Sequence, residues 1–173
     1  MKPISGNHIY LRSLEAEDID FLFRIENDER FWILSDTVVP FSRESLINYI
    51  SNAQQPLQEV GQYRYVICND NDQPVGLIDL FEYDATLHKA GIGLIIAPDQ
   101  QKKGYGSSAL ACLISYAFDR LKIKMLVANV LINNTVSISL FEKFNFEKIG
   151  VKKKHILSEN GYIDQILFQL KAD

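Results

Sequence analysis

Gly104 and Gly106 stand one residue apart, after Gln101, Lys102 and Lys103 and before Ser107 and Ser108. Backbone N–H groups at the start of a helix have no intrahelical partner, so a glycine turn entering a helix makes a cradle for an anion. Lys102 and Lys103 supply charge that would neutralise a pyrophosphate. The same residues can also be read as a tight turn that needs glycine for its backbone, beside two solvated lysines. No Lys-Ser/Thr pair follows the last glycine, so magnesium-nucleotide chemistry lacks its ligands. A dinucleotide fingerprint would need a third glycine and an acidic residue ending the next strand, where Leu131 and Ile132 stand instead. Farther toward the N-terminus, Glu26, Asp28 and Glu29 precede Trp32. Carboxylates beside an aromatic ring can receive a cationic amine, although a solvated helix end gives the same pattern.

The elements that must position these groups follow from periodicity. Residues 92–97 are an apolar run ending at Pro98, and Leu110, Leu113, Ile114, Ala117, Phe118 and Leu121 then repeat in helical steps. The glycines therefore lie between a strand and a helix over about 104–121. Before them, 8–14 is a strand and Ser13 is placed to cap a first helix carrying Ile19, Leu22 and Phe23. An apolar loop spans 30–41. Ser42 caps a second helix, and 54–61 is a polar link. Strands at 63–68, 74–83 and 88–97 form an antiparallel meander. The strand 125–131 arrives after a helix and so is a parallel neighbour. A helix at 135–144 and a hairpin, 147–157 and 162–170 around Asn160-Gly161, complete the chain. The order is β-α-α-β-β-β-α-β-α-β-β, an α+β fold with a mixed sheet flanked by helices.

With 173 residues, 47% of them hydrophobic, the chain is long enough to fold as one domain over 1–173 with its own core. A net charge of -4 gives no global basic surface for nucleic acid. Cys68 and Cys112 sit in apolar runs and read as reduced core thiols rather than a disulfide or metal site. No apolar h-region opens the sequence and no stretch is long enough to span a membrane, so the cytoplasm is the expected location.

Two segments carry a resemblance. Gln101-Lys102-Lys103-Gly104-Tyr105-Gly106 resembles the Q/R-x-x-G-x-G/A signature of the GNAT N-acetyltransferase superfamily, and residues 134–146, NTVSISLFEKFNF, resemble its N-x-x-S-x-x-L-Y-E-K-x-G-F segment. The likeness covers nearly the whole chain. It implies acetyl-coenzyme A as cofactor, with the pyrophosphate on Gln101 to Ser107, backbone contacts from Ile95, Ile96 and Ala97, and Asn134, Ser137 and Phe141 near the pantetheine. GLIDLFEY, GIGLIIAPDQQKKGYG and ISLFEKFNF look similar to the bacterial spermidine/spermine and ribosomal-protein N-terminal acetyltransferase branches. That resemblance implies an amine acceptor, a polyamine or a protein N-terminus, with Glu26, Asp28, Glu29 and Trp32 on the acceptor side. A homodimer is a further expectation of the family. The family often has tyrosine where Phe141 stands, and a phenyl ring has no proton to donate to a departing thiolate.

Acyl transfer to an amine requires a neutral nucleophile and a donor for the charge that gathers on the carbonyl oxygen. Asp79 and Glu82, on the strand leading to Tyr83, are the candidate proton acceptors. Being three apart, they point to opposite faces of a regular strand, and only a bulge would bring both to one site. Glu82, nearer the strand end, is the sharper candidate. His88 could act near neutrality, but a surface histidine at a strand start is the simpler reading.

Overall fold

The computed structural model describes residues 3–35 and 39–172. The first strands are β1 (Ile4–Ser5) and β2 (Ile9–Ser13), followed by the helices α1 (Ile19–Glu26), α2 (Glu29–Ser35), α3 (Arg43–Asn52) and α4 (Leu57–Val60). A meander of β3 (Tyr63–Asn69), β4 (Pro74–Asp84) and β5 (Lys89–Ile96) leads to α5 (Tyr105–Asp119). The chain closes with β6 (Met125–Leu131), α6 (Thr135–Lys143), β7 (Glu147–Ser158) and β8 (Gly161–Lys171).

These strands form a sheet in the order β1-β2-β3-β4-β5-β6-β8-β7. Every pairing is antiparallel except β5 with β6. Side chains of a strand alternate between faces, and β3 shows what each face holds. Tyr65 and Ile67 join the core that contains Leu110 and Leu113 of α5, while Val66 and Cys68 join the one that contains Leu22 and Ile25 of α1 and Leu46 and Ile50 of α3. The sheet is thus covered by α5 on one side and the α1–α3 pair on the other. Full burial of each such Leu or Ile stabilises the fold by roughly 1.5–3 kcal/mol. Cys68 and Cys112 are both free and belong to different cores.

The α+β order, the parallel β5–β6 neighbour and the Ser158↔Gly161 hairpin agree with the sequence reading. Ser42 caps α3 as expected, accepting from Ser45 N–H at 3.1 Å. Three local expectations are corrected. Ser13 is no cap: its hydroxyl bonds Tyr63 Oη at 2.7 Å, and a 3-10 turn, Ala16–Asp18, leads into α1 instead. Buried Asp18 holds that turn by accepting from Glu15 N–H at 2.9 Å and from both terminal nitrogens of Arg12 at 2.6 and 2.7 Å. The apolar segment 30–41 is no simple loop, because its first half is α2; residues 36–38 lie outside the described chain. The polar link likewise contains the single turn α4, which buries Leu57.

Candidate active site

The site begins where two parallel strands part. β5 and β6 pair only from Lys89↔Met125 to Gly91↔Val127. Beyond Gly91, β5 continues to pair with β4 as far as Gly76↔Ile96, so its other edge has no ladder partner. Backbone N–H and C=O groups on that edge face the gap and need partners of another kind. A cleft of about 360 Å³ opens there. Phe81 of β4 forms part of its wall, and its ring lies across Gly91: a Cβ on Gly91 would stand 2.4 Å from Phe81 Cε2.

The glycine turn follows β5. Gly104 has φ +85, a left-handed conformation that disfavours a side chain, and α5 starts there without a side-chain cap. Ser108 N–H donates to Gly104 O at 3.1 Å, so the amides of Tyr105, Gly106 and Ser107 precede the first helical bond and point out of the helix end. Gln101 Nε2 donates to Ile96 O at 3.1 Å and ties the turn back to β5. Lys102 and Lys103 are exposed, and Lys103 Nζ donates to Gln100 Oε1 at 2.9 Å. A third cation joins from α6, where Lys143 Nζ donates to Ser107 Oγ at 3.0 Å. Open amides, an uncapped helix and a left-handed glycine fit a phosphate group.

Of the sequence candidates, Asp79, Glu82, Ile95, Asn134, Ser137 and Phe141 come together on the cleft wall. Asn134 caps α6, its Oδ1 accepting from Ser137 N–H at 3.1 Å. Phe141 is 3% exposed and packs against Phe168, stacked at 6.1 Å, and Phe146, edge-on at 5.0 Å. Ile96 packs toward α5, whereas Ala97 is fully buried in the α1–α3 core with its N–H donated to Val75 O at 2.9 Å. His88 is exposed in a turn and is not among the cleft residues.

Asp79 and Glu82 share the cleft because β4 bulges. The β4–β5 register shifts between Phe81 and Asp84, and Glu82 takes φ +49. The two carboxylates are nonetheless unlike. Asp79 accepts from Arg64 Nε and Nη2, both at 2.8 Å, while Arg64 Nη1 also bonds Glu26 Oε1. Burial works against the Arg64 cation, but the carboxylates more than offset it and hold its pKa well above the usual value. The Glu82 side chain is exposed and has no hydrogen bond or ion pair among the described residues. Asp79 is therefore occupied and Glu82 is available.

The acidic group on α1 and α2 is mostly occupied too. Glu26 is held by Arg64. Asp28 accepts from Arg30 Nε at 2.8 Å and Nη2 at 2.5 Å, which keeps its carboxyl below the usual range. Trp32 turns its indole N–H back to Glu26 O at 2.9 Å. The neighbours Ile33 and Leu34 line the cleft instead, and Glu29 stays exposed.

Sequence reasoning missed Arg64, Phe81, Lys152, His155 and Gln165, all on the cleft wall. One signal was present. Lys152, Lys153, Lys154 and His155 break the apolar alternation of a strand, as a bulge does. The β7–β8 register indeed jumps from Lys152↔Gln165 to Ile156↔Ile163. Asp164 fills the jump, accepting from Lys153 Nζ at 2.7 Å and Lys154 N–H at 2.8 Å. These bonds, the Lys153 one foremost, hold the Asp164 carboxyl below the usual range. The stabilisation they give is complete above the ordinary carboxylate pKa and is lost as pH falls through the depressed folded value.

A parted strand pair, an anion-binding helix start and a carboxylate in the cleft define an acyl-coenzyme A site, and comparison with known proteins agrees. The acetyltransferase (GNAT) domain model matches residues 8–147, and the chain belongs to that family. It is an acetyl-coenzyme A-dependent N-acetyltransferase. It is 25% identical over 177 residues to the probable N-acetyltransferase YjcK of Bacillus subtilis, covering 98% of each chain. It is 22% identical to the spermidine N(1)-acetyltransferase of Vibrio cholerae, covering 89% of this chain and 85% of the relative. The crystal structure of Vibrio cholerae spermidine N-acetyltransferase with CoA and spermine superposes with TM-score 0.86 at 21% identity, over 95% of each chain. No helix among the described residues is long and apolar enough to cross a membrane.

Proposed function

We propose that the enzyme acetylates a small primary amine, a polyamine such as spermidine in the first instance, with Glu82 as the group that takes the amine proton. The observation that carries this reading is the β4 bulge, which sets an unoccupied carboxylate beside the gap between β5 and β6. A carboxylate in reach of the nucleophile, directly or through one water, can accept its proton as the amine attacks. Acetyl-coenzyme A, when bound, supplies the acyl group already activated as a thioester. The amides at the start of α5 and Lys102, Lys103 and Lys143 would hold its pyrophosphate; the free edge of β5 past Gly91 and Asn134 would hold the pantetheine. N–H groups on that edge are donors for charge that gathers on the acyl oxygen. Asp79 orients Arg64 and leaves proton transfer to Glu82. Ser137 lies one turn before Phe141 on the same helix and lines the cleft. Its hydroxyl, or water, takes the place of the phenol that Phe141 lacks.

Negative charge on the α1, α2 and β4 side of the cleft supports a cationic substrate there, with Lys152 opposing it on the β7 side. Glu26 and Asp79 together exceed the charge of Arg64 by one, and Glu82 and Glu29 add to it. The spermidine-acetylating relatives support the same class. The test is a turnover screen of acetyl-coenzyme A against spermidine, aminosugars, amino acids and short peptides. Acetylation of spermidine but not of peptides upholds the reading. Turnover confined to peptide N-termini replaces the polyamine with a protein acceptor, and coenzyme A binding without turnover on any amine overturns catalysis altogether.

A further inference from the structure

Two bulges flank the cleft, and they do the same thing with opposite charge. On β4, Asp79 and Glu82 are three apart and reach one surface because Glu82 takes φ +49. On β7, Lys152 and His155 are also three apart, and both line the cleft because Lys154 takes φ +49. In a regular strand each pair would split between the two faces. The β7 bulge sets three residues, 153–155, against Asp164 alone. Asp164 pins it through the Lys154 N–H and also takes up the charge of Lys153. The side chains of Lys152 and His155 are left with no hydrogen bond or ion pair among the described residues. The ionisable side chains of the wall that have no partner among the described residues are thus Glu82 on the β4 side, and Lys152 and His155 on the β7 side.

We propose that Lys152 is a specificity-determining residue for the acceptor: it lets one cationic nitrogen meet Glu82 and disfavours a second one lying toward β7. Asp164 is the positioning residue that keeps the bulge, and with it Lys152, turned into the cleft. This rests on the reading that the acceptor occupies the cleft. A polyamine must then lay the rest of its chain toward α1 and α2, where Glu26 and Glu29 lie, while an acceptor with an anionic far end gains from the β7 wall. The discrimination works by repulsion, which separates substrates that the attractive contact at Glu82 alone would treat alike.

The experiment measures kcat/KM for spermidine, butylamine and 4-aminobutyrate in the intact wild-type enzyme and in Lys152→Glu, Lys152→Gln and Asp164→Asn combined with Lys153→Gln. Each variant is checked for its melting temperature and coenzyme A affinity. Lys152→Glu should raise the spermidine-to-butylamine ratio about fivefold or more, through KM rather than kcat, and lower the relative rate with 4-aminobutyrate. Lys152→Gln should fall between the two. Asp164→Asn, made together with Lys153→Gln so that no cation is released, should move the ratio the same way by less, although it leaves Lys152 in place, an effect that mere loss of stability would not produce. The shift should shrink as salt is raised. Ratios within about twofold of wild type in a folded, coenzyme A-binding Lys152→Glu enzyme that turns over would overturn this proposal alone, since a full charge reversal near the acceptor exceeds that margin. Failure of wild type and every variant to acetylate any of the three would overturn it together with the small-amine reading.

Discussion

Beside the start of α5 the binding groups are mainly backbone amides, with Lys102, Lys103 and Lys143 around them; on the β4–β7 wall of the cleft they are side chains. The donor end needs a left-handed glycine and an uncapped helix start, which are local in the chain, beside a strand pair that parts. The acceptor end assembles residues from β3, β4, β7 and β8, and two bulges decide which of them face inward. A phosphate grip made of main chain tolerates many side chains around it. An acceptor pocket made of side chains can be retuned by single substitutions without touching the grip.

Substitutions at each end should therefore separate binding from chemistry. The largest effect belongs to Glu82→Gln: kcat should fall roughly 10²- to 10⁴-fold while coenzyme A affinity, read by calorimetry, stays at the wild-type level. An equal loss of affinity would erase the division between the two ends. Next is Gly104→Val, which forces a β-branched residue to φ +85. Coenzyme A affinity should drop about tenfold or more while kcat at saturation changes little. Asp79→Asn leaves the Arg64 cation with Glu26 alone and should lower unfolding free energy by about 1–3 kcal/mol, measured by urea denaturation. If it instead matched Glu82→Gln in kcat with stability intact, the assignment of the two carboxylates would be reversed. The smallest change is expected from Phe141→Tyr, which should retain or modestly raise turnover by restoring a hydroxyl in the cleft. Abolished turnover with coenzyme A still bound would mean that the site needs the apolar ring packed on Phe146 and Phe168.

The same division explains what could be read from the amino acids alone. Helical repeats and turn glycines act over a few residues, so the boundaries of β6 and α6 and the position of the glycine turn were legible. The α2 helix was hidden because its apolar residues, Phe31 to Leu34, are consecutive rather than spaced. That Asp79 would be taken by Arg64 depends on the cross-strand pair Arg64↔Asp79, fifteen residues apart, and no local pattern reports it. The bulge at Glu82 leaves no mark that distinguishes it from a regular strand. The bulge at Lys154 did leave one, in its run of four polar residues, but a run of that kind also fits a solvated edge strand.

The Phe81 ring over Gly91 couples two positions that ordinary substitution would treat as independent. A methyl group added at Gly91 would stand 2.4 Å from the Phe81 ring, so the ring must shift, and Phe81 is part of the cleft wall. The smallest possible residue at the fork of the strands thus leaves the Phe81 ring its place in the wall. Any variant library that diversifies one of the two without the other should return mostly inactive clones, whereas Gly91→Ala combined with Phe81→Leu should recover more activity than the separate effects of the two changes would give together.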